Sequence, residues 1–514
     1  MPPSRGGWRG GAGMLPNGMK PFPLVLSALL LGALPAAAQE AASPRDWHAL
    51  ARSDVLAAYQ IFAANHAGMK DPTNPGFAAR LAAARDSALK VADSARDRAG
   101  YSDSLGAFTA ALSDGHAQVF ANDVPKPGAA ASGGPDWPGF VAAWRGKRAF
   151  VHQASAASPA PAGSTILSCD GRPVAELIRS RLLYARFRPA EAGHWWARTP
   201  QAFAATADTP RDRPRRCTFK LPDGRKRESA LAWGSAPADL GSRLRRASDG
   251  ERTAIGLTEP KPGVFLVGLP DFDPGAEGVK AYRALYADLE SRRAELLRAR
   301  AVLLDLRYNN GGSSSWSREV AGRLWGEQAV KARMENLFRR VRIWWRASPG
   351  NAAYMAEMEA KLRGNGQTDL ADSIHSVGEG LKASLAAGRD HFVEDSDKPA
   401  DPPAAPVPPT DFAAPVYVIT PGRCASACLD AIDTFRQFRN VRLIGAPTSA
   451  DSTYMEVRVQ PLPSGEGKVV IPVKLWMHRP RGSGAIYRPD IEVDDLDWST
   501  ATFLARIEKE LARR

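Results

Sequence analysis

Apolar positions in the first part of the chain recur at helical spacing. Val55, Ala58, Tyr59 and Phe62 stand at i, i+3, i+4 and i+7, one face of a helix, with Ser53 and Asp54 placed to cap it. The Pro-Thr-Asn-Pro run at 72–75 breaks the pattern, and the spacing predicts a second helix over 77–96 and a third over 102–112. The third ends on the turn Asp114-Gly-His116. A Pro/Gly-rich passage at 125–138 then reads as a linker.

Beyond the linker the period shortens. Residues 149–152 read as a strand, and 166–174 run through a strand into an Asp-Gly turn. A helix over 175–183 and a strand over 217–221 follow. From residue 254 strands alternate with helices: strand 264–268, helix 282–297, strand 302–306, helix 314–325. On the predicted helix Tyr282, Leu285, Tyr286 and Leu289 share a face. Such alternation implies βα crossovers around a sheet. Residues 334–409 interrupt it with a basic, Trp-bearing run at 339–346, helical pieces with Met355, Met358 and Leu362 on one face, and a stiff Pro-rich stretch at 401–409. This block reads as an insertion over or beside the site, its Trp-Arg run a packed helix or strand with solvated arginines. Strand 416–419, helix 427–438 and strand 441–444 resume the alternation, and Val457/Val459 and Val469/Ile471/Val473 mark closing strands.

A chain of 514 residues exceeds one hydrophobic core, so two to four domains are expected. Arg5, Arg9 and Lys20 precede the apolar run 22–34, and Ala36, Ala37 and Ala38 supply a cleavage site: residues 1–38 read as a secretory signal peptide. The run is too short for a membrane span, so the expected product is periplasmic or secreted, with no transmembrane anchor after cleavage near Ala38. The net charge is +13. In an exported protein this reads as arginine-rich solvated faces rather than a nucleic-acid surface. The 4 cysteines permit two disulfides, with three formal connectivities. Cys169 and Cys217 flank strands of one small domain and are expected to pair. Cys424 and Cys428 either bridge or remain two buried thiols. No His/Glu cluster has zinc spacing, and no Gly-rich phosphate loop is present, so neither metal nor cofactor is expected.

Two segments carry candidate chemistry. Asp305-Leu-Arg-Tyr-Asn-Asn-Gly-Gly-Ser313 and Cys424-Ala-Ser-Ala-Cys428 each follow an apolar run and precede a helical pattern. A Gly-Gly turn offers backbone N–H groups to an oxyanion, and a serine at a helix start offers a nucleophile near positive dipole charge. Together with Leu112-Ser-Asp-Gly-His116, Gly445-Ala-Pro-Thr448 and Arg488-Pro-Asp-Ile491, they resemble, in order, the motifs of the C-terminal processing, or tail-specific, serine proteases. That family includes the tricorn core protease.

The resemblance implies an α/β multidomain fold: an N-terminal helical domain (42–122), a PDZ-like β domain (139–235) and a βα-crossover core of the ClpP/crotonase type (252–333 and 410–500), with the helical insertion at 334–409. Residues 184–216 exceed a minimal PDZ, so that domain is degenerate or carries an insertion; an unrelated small β domain is the alternative. The resemblance further implies an exported serine endopeptidase acting on peptide or unfolded-protein substrates, with Ser426 as nucleophile. Many members use a Lys about 25 residues beyond the serine. Here that stretch, Gly445 to Asp451, holds none, and the next is Lys468. The chain therefore resembles the tricorn-like branch, which implies His116 as the base. The acid that orients it falls to Glu456 or Asp451, ahead of Asp490. The oxyanion donors fall to the N–H of Gly311 or Gly312 with that of Ala427; Asp305 and Arg307 brace the turn, and Asn309 and Asn310 absorb its unusual backbone. The family also implies non-catalytic binders on this fold, retinoid binders among them. A hydrolase of non-peptide acyl substrates is a third possibility.

Overall fold

The computed structural model of the chain describes residues 45–122, 136–183, 187–204, 213–394 and 396–513. The expected signal peptide and most of the expected linker lie outside them.

The architecture is multidomain α/β, built on three main sheets. Three helices open it: Trp47–Asn65, Phe77–Ala92 and Arg98–Leu112. The first begins earlier than its apolar stripe suggests. Its cap is Asp46, which accepts the Ala49 N–H at 2.9 Å, rather than Ser53 or Asp54. Asp54 lies buried mid-helix, where it accepts the Tyr101 hydroxyl at 2.7 Å. A carboxylate can stay in a helix interior when a tertiary partner satisfies it, which local spacing cannot show.

The PDZ-like domain is an antiparallel sheet in the order Phe140–Arg145, Arg148–Ala154, Thr165–Cys169, Arg216–Lys220, Lys226–Ala230. Its helix Val174–Leu182 follows the Asp170-Gly171 turn, where both residues have positive φ. Cys169 stands opposite Cys217 on paired strands, and the two are bonded. A further helix, Ala192–Arg198, occupies the stretch that exceeds a minimal PDZ.

The core sheet has six strands in the order Gly256–Lys261, Val264–Gly268, Ala301–Asp305, Val416–Thr420, Val441–Gly445, Ile491–Glu492. The first pair is antiparallel and the rest are parallel. Four of these strands are buried almost throughout, as a parallel sheet covered on both faces requires. Asp305 pairs with Ile419, so the Gly-Gly turn and the serine turn leave adjacent strands at the same end. Ligand sites of open parallel sheets lie at that end.

Residues 334–409 are not a separate cover. The Trp-Arg run forms the strand Arg342–Arg346, which pairs antiparallel with Gly467–Met477, Trp344 opposite Leu475. That long strand also pairs with Gln118–Ala121 and Tyr454–Pro461. The block thus joins a second sheet whose inner face packs on the helical domain, where Val469, Ile471 and Leu475 meet Phe62, Leu105 and Phe108. Trp345 is buried with Met355 and Leu381 of the intervening helices. Val457 and Val459 of the closing strand point to solvent, at 39% and 54% exposure.

Candidate active site

Ser426 stands at the N-terminus of the helix Ala427–Phe435 with φ 55° and ψ −127°. This is a conformation that L-residues adopt only under constraint. A serine there would ordinarily cap the helix, yet its Oγ makes no capping bond. The turn is held by its neighbours. Cys424 and Cys428 are disulfide-bonded across it, with Cα atoms 5.3 Å apart, and both are fully buried. Cys424 N–H donates to Pro421 O at 3.1 Å and Leu429 N–H to Ser426 O at 2.8 Å. Ser426 itself is half-buried.

The Gly-Gly turn packs directly on it. A Cβ on Gly311 would lie 2.8 Å from Ala425 O and 3.0 Å from Ser426 Cβ. The base of this turn is a fully buried ion pair, Asp305 with Arg307 at 2.7 Å. Arg307 also donates to Trp498 O at 2.7 Å and Thr500 Oγ1 at 2.8 Å, which satisfies the guanidinium. These two residues brace the turn. The unusual backbone falls on Tyr308 (φ 69°), Gly311 (107°) and Gly312 (127°), not on Asn309 or Asn310. Asn309 is instead a buried clamp: its Nδ2 donates to Leu269 O at 2.8 Å and its Oδ1 accepts Gly311 N–H at 2.9 Å. Gly311 N–H is therefore engaged. Among the described residues nothing accepts the N–H of Gly312, which is exposed, or that of Ala427, the first residue of the helix.

His116 arrives from the helical domain. Ser113, left-handed at φ 53°, ends the third helix, and Asp114 Oδ1 accepts His116 N–H at 2.8 Å. Thr109 Oγ1 ties the next strand back to the helix through both N–H and C=O of Val119. The His116 Nδ1 is buried without a partner, and the residue as a whole is half-buried. No hydrogen bond joins His116 to Ser426. Between their regions stands the Arg188–Glu191 pair: the Arg188 guanidinium lies 3.5 Å from where a Gly115 Cβ would stand, and Glu191 accepts Ala450 N–H at 2.8 Å. The helix Ala192–Arg198 closes the contact, since a Cβ on Gly193 would lie 2.3 Å from Gly422 O.

The carboxylates expected to orient His116 are held elsewhere. Glu456 is exposed and bonded to Lys474 at 2.9 Å. Asp451 is buried against Arg481 and Arg479. Asp490 accepts Leu443 N–H at 2.7 Å. Lys468 lies over the Phe120 ring at a strand end. Sequence reasoning missed the network behind the serine helix. Arg479 and Arg481 both reach Asp430 Oδ1 at 2.7 Å, Arg481 holds Asp433 at 3.0 Å, and Ser314 Oγ donates to Asp430 Oδ2 at 2.8 Å. Burial pushes the Asp433 carboxyl above its usual range against the pull of Arg481. For Arg481, burial opposes the charge, but Asp451, Asp433 and Asp430 outweigh it and raise its pKa. The legible signal was the spacing of Ser426, Asp430 and Asp433 at i, i+4 and i+7, one helix face.

No family model matches the chain, and no curated relative matches it. Among solved structures, mature CPAF aligns over 91% of this chain and 97% of its own, with TM-score 0.58 at 14% identity. The chain has the CPAF fold. CPAF complexed with lactacystin gives the same picture, at TM-score 0.57 over 91% of this chain and 98% of its own, again at 14% identity. The photosystem II D1 C-terminal processing protease aligns over 88% of this chain and 96% of its own at 16% identity, but its TM-score of 0.34 is too low to bear on the site.

Proposed function

We propose that this chain is an exported serine endopeptidase of the tail-specific class. The observation that carries the reading is Ser426: a non-glycine residue in a strained conformation at a helix start, braced by a disulfide, whose hydroxyl does not cap the helix. The shared CPAF fold supports it. In this reading Ser426 Oγ attacks the scissile carbonyl while His116 Nε2 takes its proton. The N–H groups of Gly312 and Ala427 receive the oxyanion. Collapse breaks the C–N bond, and His116 returns the proton to the leaving amine. Water, deprotonated by the same imidazole, then releases the acyl group. An extended peptide adding to a sheet edge supplies the substrate, with the PDZ-like domain contributing. Two disulfides fit an oxidising compartment.

The test is labelling by a fluorophosphonate probe followed by peptide turnover. Ser426-dependent labelling with cleavage of an unfolded protein is the expected result. Turnover of esters but not peptides would redirect the reading to another acyl hydrolase. A second reading, a binding protein on the same fold, is favoured by the missing Ser426–His116 hydrogen bond; it requires no labelling at all.

A further inference from the structure

Ser314 stands at the start of the helix Ser315–Trp325, two residues beyond Gly312, yet its hydroxyl makes no capping bond to that helix. Serine at a helix start ordinarily does so. Its Oγ donates instead to Asp430 Oδ2 at 2.8 Å, across to the helix that follows Ser426. Asp430 lies in the first turn of that helix, three residues after Ala427. Its other oxygen, Oδ1, accepts from Arg479 and Arg481, each at 2.7 Å. The two arginine side chains are buried, at 2% and 4% exposure. Arg481 is fixed in turn by Asp433 at 3.0 Å, and Arg479 donates to Ser452 O at 3.4 Å.

The two N–H groups that would receive an oxyanion stand on different turns. Gly312 belongs to the turn after Ala301–Asp305, Ala427 to the turn after Val416–Thr420. Packing brings the turns together: a Cβ on Gly311 would stand 3.3 Å from Ala427 N. Apolar contact is not directional, so it does not fix how the two donors are aimed. A hydrogen bond does. Among the described residues, Ser314 Oγ to Asp430 Oδ2 is the hydrogen bond that crosses between residues 306–314 and residues 421–430. On its other side the Gly312 turn is tied to Phe272, whose carbonyl accepts Ser313 N–H at 2.7 Å. Charge also has to be compensated. An anion at a helix start gains from the dipole, but a bare carboxylate one turn further in would repel it. Two guanidiniums on Oδ1 offset that repulsion, so Asp430 can hold the turn without opposing the oxyanion.

We propose that Asp430 and Ser314 are the positioning pair of the oxyanion hole: their bond sets the Gly312 N–H against that of Ala427, and Arg479 and Arg481 neutralise the carboxylate that makes it. None of the four touches substrate. The inference rests on the reading of Ser426, Gly312 and Ala427 given above.

The test compares Ser314→Ala, Ser314→Thr and Ser313→Ala for peptide turnover and for inhibition by a peptide boronate, which forms a tetrahedral adduct on the nucleophile. Ser314→Ala removes one oxygen at a partly exposed position. It is expected to lower kcat by about 10–100-fold with KM changed less than about twofold. Boronate affinity should fall in step with kcat, since both report tetrahedral geometry. Ser314→Thr keeps the hydroxyl and should restore most of the activity. Ser313→Ala removes a neighbouring hydroxyl that bonds Ser315 Oγ at 2.8 Å, and should cost much less than Ser314→Ala. In an Asp430→Ala background Ser314→Ala should cost nothing further. Undiminished turnover in Ser314→Ala, a loss confined to KM, or an equal loss in Ser313→Ala would overturn the inference, as would an undiminished cost of Ser314→Ala in the Asp430→Ala background. Should Asp430→Ala fail to fold, the contrast between alanine and threonine at Ser314 decides. Wild-type protein that neither labels with a fluorophosphonate nor turns over peptide removes the catalytic reading and this inference together. Ser426-dependent labelling and turnover that Ser314→Ala leaves untouched remove this inference alone.

Discussion

The turn after Ala301–Asp305 and the turn after Val416–Thr420 leave neighbouring parallel strands at the same end, and both demand positive φ. They meet that demand differently. The first places glycines at two of its positive-φ positions, and a buried ion pair and the Asn309 side chain fix it. Glycine accepts φ above 0 without steric cost, so this turn needs only orientation. In the proposed reading the second cannot use glycine at its centre, because the chemistry needs a hydroxyl. Ser426 therefore carries the strain, and a covalent bridge two residues to either side holds it. Conformational demand met by composition is cheap to maintain; demand met against composition needs a brace.

This contrast can be broken most sharply at Ser426. Ser426→Gly should abolish turnover, a loss of several orders of magnitude, while leaving thermal stability unchanged or higher by up to about 1 kcal/mol, because the strain is relieved. Calorimetry together with a peptidase assay measures both. A large destabilisation would mean that Ser426 is not strained.

Gly312→Ala, unlike Ser426→Gly, should cost stability. Its Cβ would stand 2.1 Å from Phe272 O at a φ of 127°, so a loss of about 2–5 kcal/mol is expected in urea unfolding. Tolerance of alanine would show that the glycine turn is pliable.

The two disulfides extend the comparison. Cys169 and Cys217 are 48 residues apart, and their removal should cost about 4 kcal/mol by loop entropy. Cys424 and Cys428 are 4 apart, and the same reasoning gives about 2 kcal/mol. Activity should rank the other way. A Cys424→Ser/Cys428→Ser double variant should lose turnover well beyond its stability loss, because it frees the serine turn. Equal losses of activity in the two variants would count against the bracing role.

Histidine burial sets the pH response. Desolvation lowers the His66 pKa from its ordinary 6.5 to about 4, with Asp114 opposing that shift. Between those values the unfolded chain binds a proton that the folded chain excludes. Stability should therefore fall as pH drops from about 6.5 towards 4, by about 1.4 kcal/mol per pH unit for each such histidine, and then level off. His152, also lowered to about 4, and His194 act in the same direction, chiefly through burial. Unfolding midpoints measured across this range should show the slope, and His66→Asn should reduce it by about one proton.

The smallest effect is expected at Glu456. Its carboxylate is exposed and, among the described residues, pairs with Lys474 alone, so Glu456→Gln should change stability by less than about 1 kcal/mol and leave activity close to wild type.

The sequence by itself determined the helical stripe of Val55 and Phe62, the βα alternation after residue 254, and the two motif turns on either side of Asp305 and Ser426. Each depends on local periodicity or on glycine and small-residue placement, which neighbours in sequence encode. Pairing Cys169 with Cys217 was within reach because both cysteines lie in strands of one small sheet. Tertiary structure alone decided the rest. Asp54 looked like a cap until Tyr101 was placed against it. The Trp-Arg run became a strand because His391–Val393 and Gly467–Met477, the latter over a hundred residues later, flank it. Among the carboxylates that the sequence offers to orient His116, Glu456 and Asp451 come ahead of Asp490. In the folded protein Arg481 and Lys474 claim the two favoured ones. Burial and pairing settle which ionisable groups remain free, and both are properties of the folded chain that no local pattern encodes.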